Sequence, residues 1–183
     1  MSGIAGLLRF DGQEASRHEL ERVANALRAH GPDRSQVLVS SGIGLAHVLM
    51  RMTPEDQLDP QPWRGASGAL ITADLRLDNR DDMLARIGLT QPDAMSWSDA
   101  RIVLAAWEKF GDAVWPMLRG PFAVAIWSPA QRRLTLVRDP VGTRVRGAAE
   151  HVHVIVRQGP GDVGEEPRPI ERHRFPDGEL KLR

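Results

Sequence analysis

Apolar residues recur with period two at the start of the chain. In "MSGIAGLLRF", Ile4, Gly6, Leu8 and Phe10 fall on one face and Ala5 and Leu7 on the other, with Asp11-Gly12 following as a turn. A strand apolar on both faces implies a buried N-terminus, whereas termini fray in solvent unless something ties them down. The spacing then becomes helical. Ser16-Arg17-His18-Glu19 has the form of a capping box, Leu20, Val23, Ala24 and Leu27 follow, and the helix is expected to stop before Gly31-Pro32. "QVLVS" and "GLAHVLM" read as two strands joined through "SGIG", whose glycines permit a tight hairpin. A phosphate cradle at those glycines would need a helix N-terminus directly after them, and an apolar strand-like run follows instead.

"GALITADLRL" reads as a further strand and "NRDDMLARIGL" as a short helix from Asn79 to Gly88. "SDARIVLAAWEKFG" is the clearest helix. Ser98 can cap it, Asp99 suits its positive end, and Ile102, Val103, Ala106, Trp107 and Phe110 line one side before Gly111. "FAVAIW" and "RLTLV" read as a hairpin around "SPAQR", the first strand apolar on both faces as expected when both are covered. After Arg144 one alternating run is followed by a stretch dense in Gly, Pro and charge, which places a boundary there and a divergent tail over 145–183.

Composition narrows the function classes. The 183 residues suffice for one domain with a core, and 24 Lys and Arg balance 24 Asp and Glu, so no basic field favours nucleic acid or an anionic membrane. The absence of cysteine excludes a disulfide framework, a thiolate metal site and a cysteine nucleophile. The N-terminal apolar run is shorter than a secretory h-region or a membrane span, and the expectation is a soluble, cytoplasmic protein.

Four stretches in order, "MSGIAG", "HGPD", "SDARIVLAAWEKFG" and "LRGPFAVAIWSPAQRRLTLVRDPVG", resemble the N-terminal glutaminase domain of asparagine synthetase-like enzymes. These are class II glutamine amidotransferases with an N-terminal-nucleophile hydrolase fold. "LAHVLMRMTPED" and "TADLRLDNRDDML" resemble most the branch that includes lasso-peptide macrolactam cyclases. The resemblance covers residues 1–144 and implies an α+β fold, a four-layer αββα sandwich. It also implies a mechanism: Met1 is removed, the side chain of the next residue attacks the glutamine amide, and its own α-amino group, with a pKa near ~8, shuttles the proton.

Carried over residue by residue, the machinery is altered. Ser2 stands where the family has a cysteine nucleophile, and a hydroxyl is far less ionised than a thiol at neutral pH. Asp74-Leu75 stands where the family's Asn-Gly pair supplies the oxyanion hole, and a carboxylate repels a developing oxyanion, where losing one donor already costs ~3 kcal/mol. Arg76 replaces a family Glu, His30 replaces an Arg, and Leu49 replaces the arginine that binds the glutamine carboxylate. Arg51, two residues on, is the substitute expected to share the face of Leu49. Asp99 keeps the family residue that binds the glutamine α-amino group, and it is equally an ordinary first-turn helix acid. The family continues into a synthetase domain with a Ser-Gly-Gly phosphate loop for ATP. No such loop occurs here, so the chain reads as a truncated or frameshifted product whose partner would be a synthetase or cyclase domain or subunit.

Ser2 is therefore either a nucleophile or a small residue of a buried strand, and the altered oxyanion site favours the second. His151 and His153 share a strand face but lack a third ligand at sensible spacing, so no metal and no cofactor is expected. His47, within an apolar strand, reads as a hydrogen-bonded core residue, and the five tryptophans read as core, not as a stacking platform. The expectation is a degenerate glutamine amidotransferase-like domain without glutaminase activity. Glutamine is the candidate small-molecule partner, and the alternative is an active amidohydrolase with Ser2 as nucleophile.

Overall fold

The computed structural model describes residues 2–9, 13–52, 54–90, 92 and 94–139, together with the backbone of 152–157 and 179–182. The chain is α+β. In order it forms β1 (Gly3–Arg9), α1 (Arg17–Ala26), β2 (Arg34–Ser40), β3 (Ile43–Leu49), β4 (Trp63–Arg64), β5 (Leu70–Leu75), α2 (Arg80–Ile87), α3 (Asp99–Phe110), β6 (Phe122–Ser128), β7 (Arg133–Arg138), β8 (Val152–Arg157) and β9 (Glu179–Leu182). Two sheets result, one ordered β2-β3-β1-β8 and the other β4-β5-β6-β7-β9. All pairings are antiparallel except β1 with β8.

The period-two pattern of β1 explains its place at the centre of a sheet. Ile4 and Leu8 pack with Ile43 and Leu45 of β3 against Leu70, Ala125, Trp127 and Leu134 of the other sheet. Ala5 and Leu7, on the opposite face, pack with Ala46 and Val48 against Leu20, Ala24 and Leu27 on and just beyond α1. Burying a leucine such as Leu7 or Leu20 completely is worth about 1.5–3 kcal/mol, so this double-sided packing is what holds the N-terminus in place. On the far side of the second sheet, Ile71, Val124 and Ile126 pack against Ile102, Val103 and Ala106 of α3 and Met83 and Leu84 of α2.

Local signals act where the sequence put them. Ser16 Oγ accepts the Glu19 N–H at 3.2 Å, Ser98 Oγ accepts that of Arg101 at 3.3 Å, and the β2–β3 hairpin turns through Ser41-Gly42 with Gly42 at φ +73°. Asn79 differs from expectation, since its side chain makes no cap bond to α2. Its Nδ2 donates to the Met117 carbonyl and its Oδ1 accepts the Arg119 N–H, which ties the start of α2 to the segment entering β6.

The expected boundary at Arg144 lies outside the described residues. Beyond it, β8 and β9 each extend a sheet: Ile4 pairs with Val152 and Leu134 with Leu182. Among the described residues no helix is long and apolar enough to cross a membrane.

Candidate active site

At one end of the space between the sheets lies a cavity of about 860 Å³. Ser2 lines it, the residue only 8% exposed, and its Oγ accepts the Met50 N–H at 3.2 Å. Met50 is itself fixed from behind by the "HGPD" stretch. Gly31 lies so close to the Val48–Leu49 backbone that a Cβ would overlap the Val48 carbonyl, the Asp33 N–H donates to the Leu49 carbonyl, and Asp33 Oδ2 accepts the Arg51 N–H at 2.7 Å. The stretch is thus a buttress for the strand end that receives the Ser2 hydroxyl.

Asp74 and Leu75, at the end of β5, line the same cavity, as does Asp99 at the start of α3. Four of the five residues singled out from the sequence are therefore brought together. Arg51 is not among the lining residues. β3 ends at Leu49, so the strand alternation that would have aligned Arg51 with Leu49 stops before reaching it, and Arg51 is exposed.

Asp99 is already engaged within the protein. Its Oδ1 receives a guanidinium N–H of Arg80 and its Oδ2 accepts the Leu77 N–H at 2.8 Å. Arg80 also donates to the carbonyls of Ala94 and Trp97. The sequence offered no sign of this, because an arginine in the first turn of a short polar helix reads as a solvated residue; only the packing of α2 on α3 brings the pair together. Arg76, the other arginine of the lining, is bound to Asp78 at 2.8 Å.

His47 and Asp59 also line the cavity, and Gln61 is hydrogen-bonded to Asp59. His47 is 2% exposed, with the Ala73 backbone beside it; burial and the nearby Arg34 charge lower its pKa to about 4, so it is neutral at pH 7. Its burial agrees with a core histidine. Gln61, buried beside β5 where β4 no longer pairs with it, gives its amide to both backbone groups of Ala73 in the manner of a strand residue. It passes a second Nε2 hydrogen to Asp59 Oδ2 at 2.7 Å. Burial raises the Asp59 pKa, partly offset by Gln61 and Ser98 beside it.

Arg101 stacks over Trp97 at 3.9 Å and Trp63 at 5.1 Å from the ring centres, so those rings are already covered by a cation. Among the described residues no three His, Cys, Asp or Glu are grouped to hold a metal. His151 lies outside those residues, and His153 is described only through its backbone.

A two-sheet α+β fold with a small hydroxyl residue at the start of a central strand, opening on a cavity between the sheets, is compatible with the N-terminal-nucleophile class. A family model for the glutamine amidotransferase domain matches residues 1–145, and the chain belongs to that family. It is 26% identical over 161 residues to asparagine synthetase [glutamine-hydrolyzing] 2 of Bacillus subtilis (strain 168), covering 85% of this chain and 21% of the relative. It is 24% identical to asparagine synthetase [glutamine-hydrolyzing] of Brassica oleracea and 23% identical to asparagine synthetase [glutamine-hydrolyzing] 2 of Oryza sativa subsp. japonica. Each of these matches covers 78% of this chain and 24% of the relative. The chain thus spans about a quarter or less of the length of these relatives.

Proposed function

We propose that this chain is a degenerate glutamine amidotransferase-like domain that does not hydrolyse glutamine, of the kind that accompanies an ATP-dependent amide-forming synthetase. We place it in the lasso-peptide cyclase-like branch on the two stretches that resemble that branch, and we read it as cytoplasmic with residues 1–144 as the amidotransferase-like unit. The three apolar clusters, one between the sheets and one beneath the helices on each outer side, support reading the fold as a four-layer αββα sandwich.

The observation that carries the functional reading is the state of the cavity's acidic groups. Asp74, which the resemblance aligns with an oxyanion donor, lines the cavity, and Asp99, which it aligns with the residue that binds the glutamine α-amino group, is engaged by Arg80 and the Leu77 N–H. An oxyanion forming beside Asp74 meets negative charge in place of fixed donors. In this reading the domain serves a synthetase or cyclase partner as a structural element.

One observation favours the rival reading of Ser2 as a working nucleophile: its Oγ accepts the Met50 N–H, a bond that also favours an alkoxide. The experiment that separates the two is repair. Ammonia release from glutamine is measured for Ser2→Cys and for Ser2→Cys combined with Asp74→Asn and Leu75→Gly. Catalytic groups that act as a unit are strongly non-additive, so the single variant is expected to stay inactive and the triple to gain a trace. Robust hydrolysis by Ser2→Cys alone would show that Asp74 does not disable the site.

A further inference from the structure

Arg80 is the first residue of α2, and its guanidinium crosses to the start of α3, where three acceptors converge on it. Nη1 donates to Asp99 Oδ1, and Nη2 donates to the carbonyls of Trp97 at 2.6 Å and Ala94 at 3.2 Å. Arg80, Trp97 and Asp99 all line the cavity, and the Arg80 side chain is 25% exposed, so this meeting point opens on the cavity and is not sealed beneath it.

The three acceptors are held by bonds that do not involve Arg80. Asp99 Oδ2 accepts the Leu77 N–H at 2.8 Å, which fixes the carboxylate in place. The Ala94 carbonyl closes a turn with the Trp97 N–H at 2.9 Å, and Ser98, next to Trp97, caps α3 through its Oγ. The Trp97 ring lies beneath the Arg101 guanidinium at 3.9 Å. A carboxylate oxygen and two carbonyls fixed around one point form a seat for a cation that carries N–H donors, whether that cation belongs to the chain or to a ligand. Arg80 fills the seat from within. A group tethered through a short flexible stem acts at an effective concentration on the order of millimolar, so a free cation reaches the seat only in molecules whose Arg80 has swung out, and its apparent affinity falls by that fraction.

We infer that Arg80 is a built-in competitor at this seat and so a specificity-determining residue of the cavity: the parent chain turns away a ligand's guanidinium or primary ammonium group at Asp99, and replacement of Arg80 alone opens the seat to it. This role of Arg80 rests on the engaged Asp99 of the proposed function. Its readout is cation binding, which does not involve Ser2, so it and the ammonia release of the Ser2→Cys series fail separately.

The test is thermal unfolding of the whole chain in rising methylguanidinium chloride, against sodium chloride and against tetramethylammonium chloride, whose cation has no N–H, at equal ionic strength. Arg80→Met keeps an apolar stem and removes the donors, so a free cation must enter from the cavity. Its Tm is expected to rise by about 3–6 °C at about 10 mM methylguanidinium, the gain for a ligand held at about ten times its Kd, and not to rise in tetramethylammonium. The parent chain and Arg80→Met/Asp99→Asn should shift no more in methylguanidinium than in sodium chloride, and Arg80→Met should bind the cation at least about tenfold more tightly than the parent. Arg80→Gln, which keeps an amide donor for the carbonyls, is the second variant, and the same rise is expected of it if Arg80→Met does not fold. An equal rise in the parent would overturn the inference, because Arg80 would then not compete for the seat. So would a rise retained by the double variant, an equal rise in tetramethylammonium, or no rise in the Arg80 variant that folds.

Discussion

Replacing Asp99 by alanine tests the occupied state of the site through stability alone. Asp99 and Arg80 have side chains 23% and 25% exposed, so their pair is only partly screened by solvent. Truncation removes two charge-assisted hydrogen bonds, to Arg80 and to the Leu77 N–H, each of a kind worth about 1.5–3 kcal/mol. The loss falls short of the 3–5 kcal/mol typical of breaking a fully buried pair, because Arg80 keeps the carbonyls of Ala94 and Trp97. The expected destabilisation is about 2–3 kcal/mol, read as a lower urea midpoint at unchanged slope and as a fall in Tm of about 4–12 °C. A double-mutant cycle with Arg80→Met should return a coupling of about 1–2 kcal/mol. A destabilisation below about 0.5 kcal/mol with no coupling would refute the pairing, and with it the argument that Asp99 is unavailable to a ligand.

The histidine makes a pH prediction. The folded His47 pKa of about 4 lies below its ordinary 6.5, so the unfolded chain binds the extra proton first; stability is fully expressed above pH 6.5 and falls between pH 6.5 and about 4, by up to about 3 kcal/mol. Asp59, whose pKa is raised on folding, acts with the opposite sign, so urea midpoints of Asp59→Asn should fall more steeply with acidification than those of the parent chain, and those of His47→Asn less steeply. Gly31→Ala should destabilise by about 1–3 kcal/mol in thermal melts, because the new Cβ meets rigid backbone at Val48; an unchanged Tm would show that the "HGPD" buttress yields freely.

Much of this architecture is legible in residue patterns. Alternation in β1 gave both of its buried faces, and the caps at Ser16 and Ser98 marked the helix starts, because these signals depend on neighbours in sequence. The cavity was legible in part: Ser2, Asp74, Leu75 and Asp99 meet there. What stayed hidden depends on contacts between distant segments. Arg80 finds Asp99 only when α2 packs on α3, and Gln61 acts as a strand surrogate only because β4 ends short. The exposure of Met52 and Met95 could not be read from their composition, since methionine is as common in cores as at contact surfaces. Arg51 was misplaced by extending the strand alternation past Leu49, where β3 stops.

The central claim is that the altered site no longer releases ammonia from glutamine, and the direct measurement is glutamate and ammonia production by the purified chain with the N-terminal residue verified as Ser2 by mass spectrometry. The account predicts no product above that of the Ser2→Ala variant. Turnover approaching an ordinary enzyme rate of about 10 per second, abolished by Ser2→Ala, would contradict it.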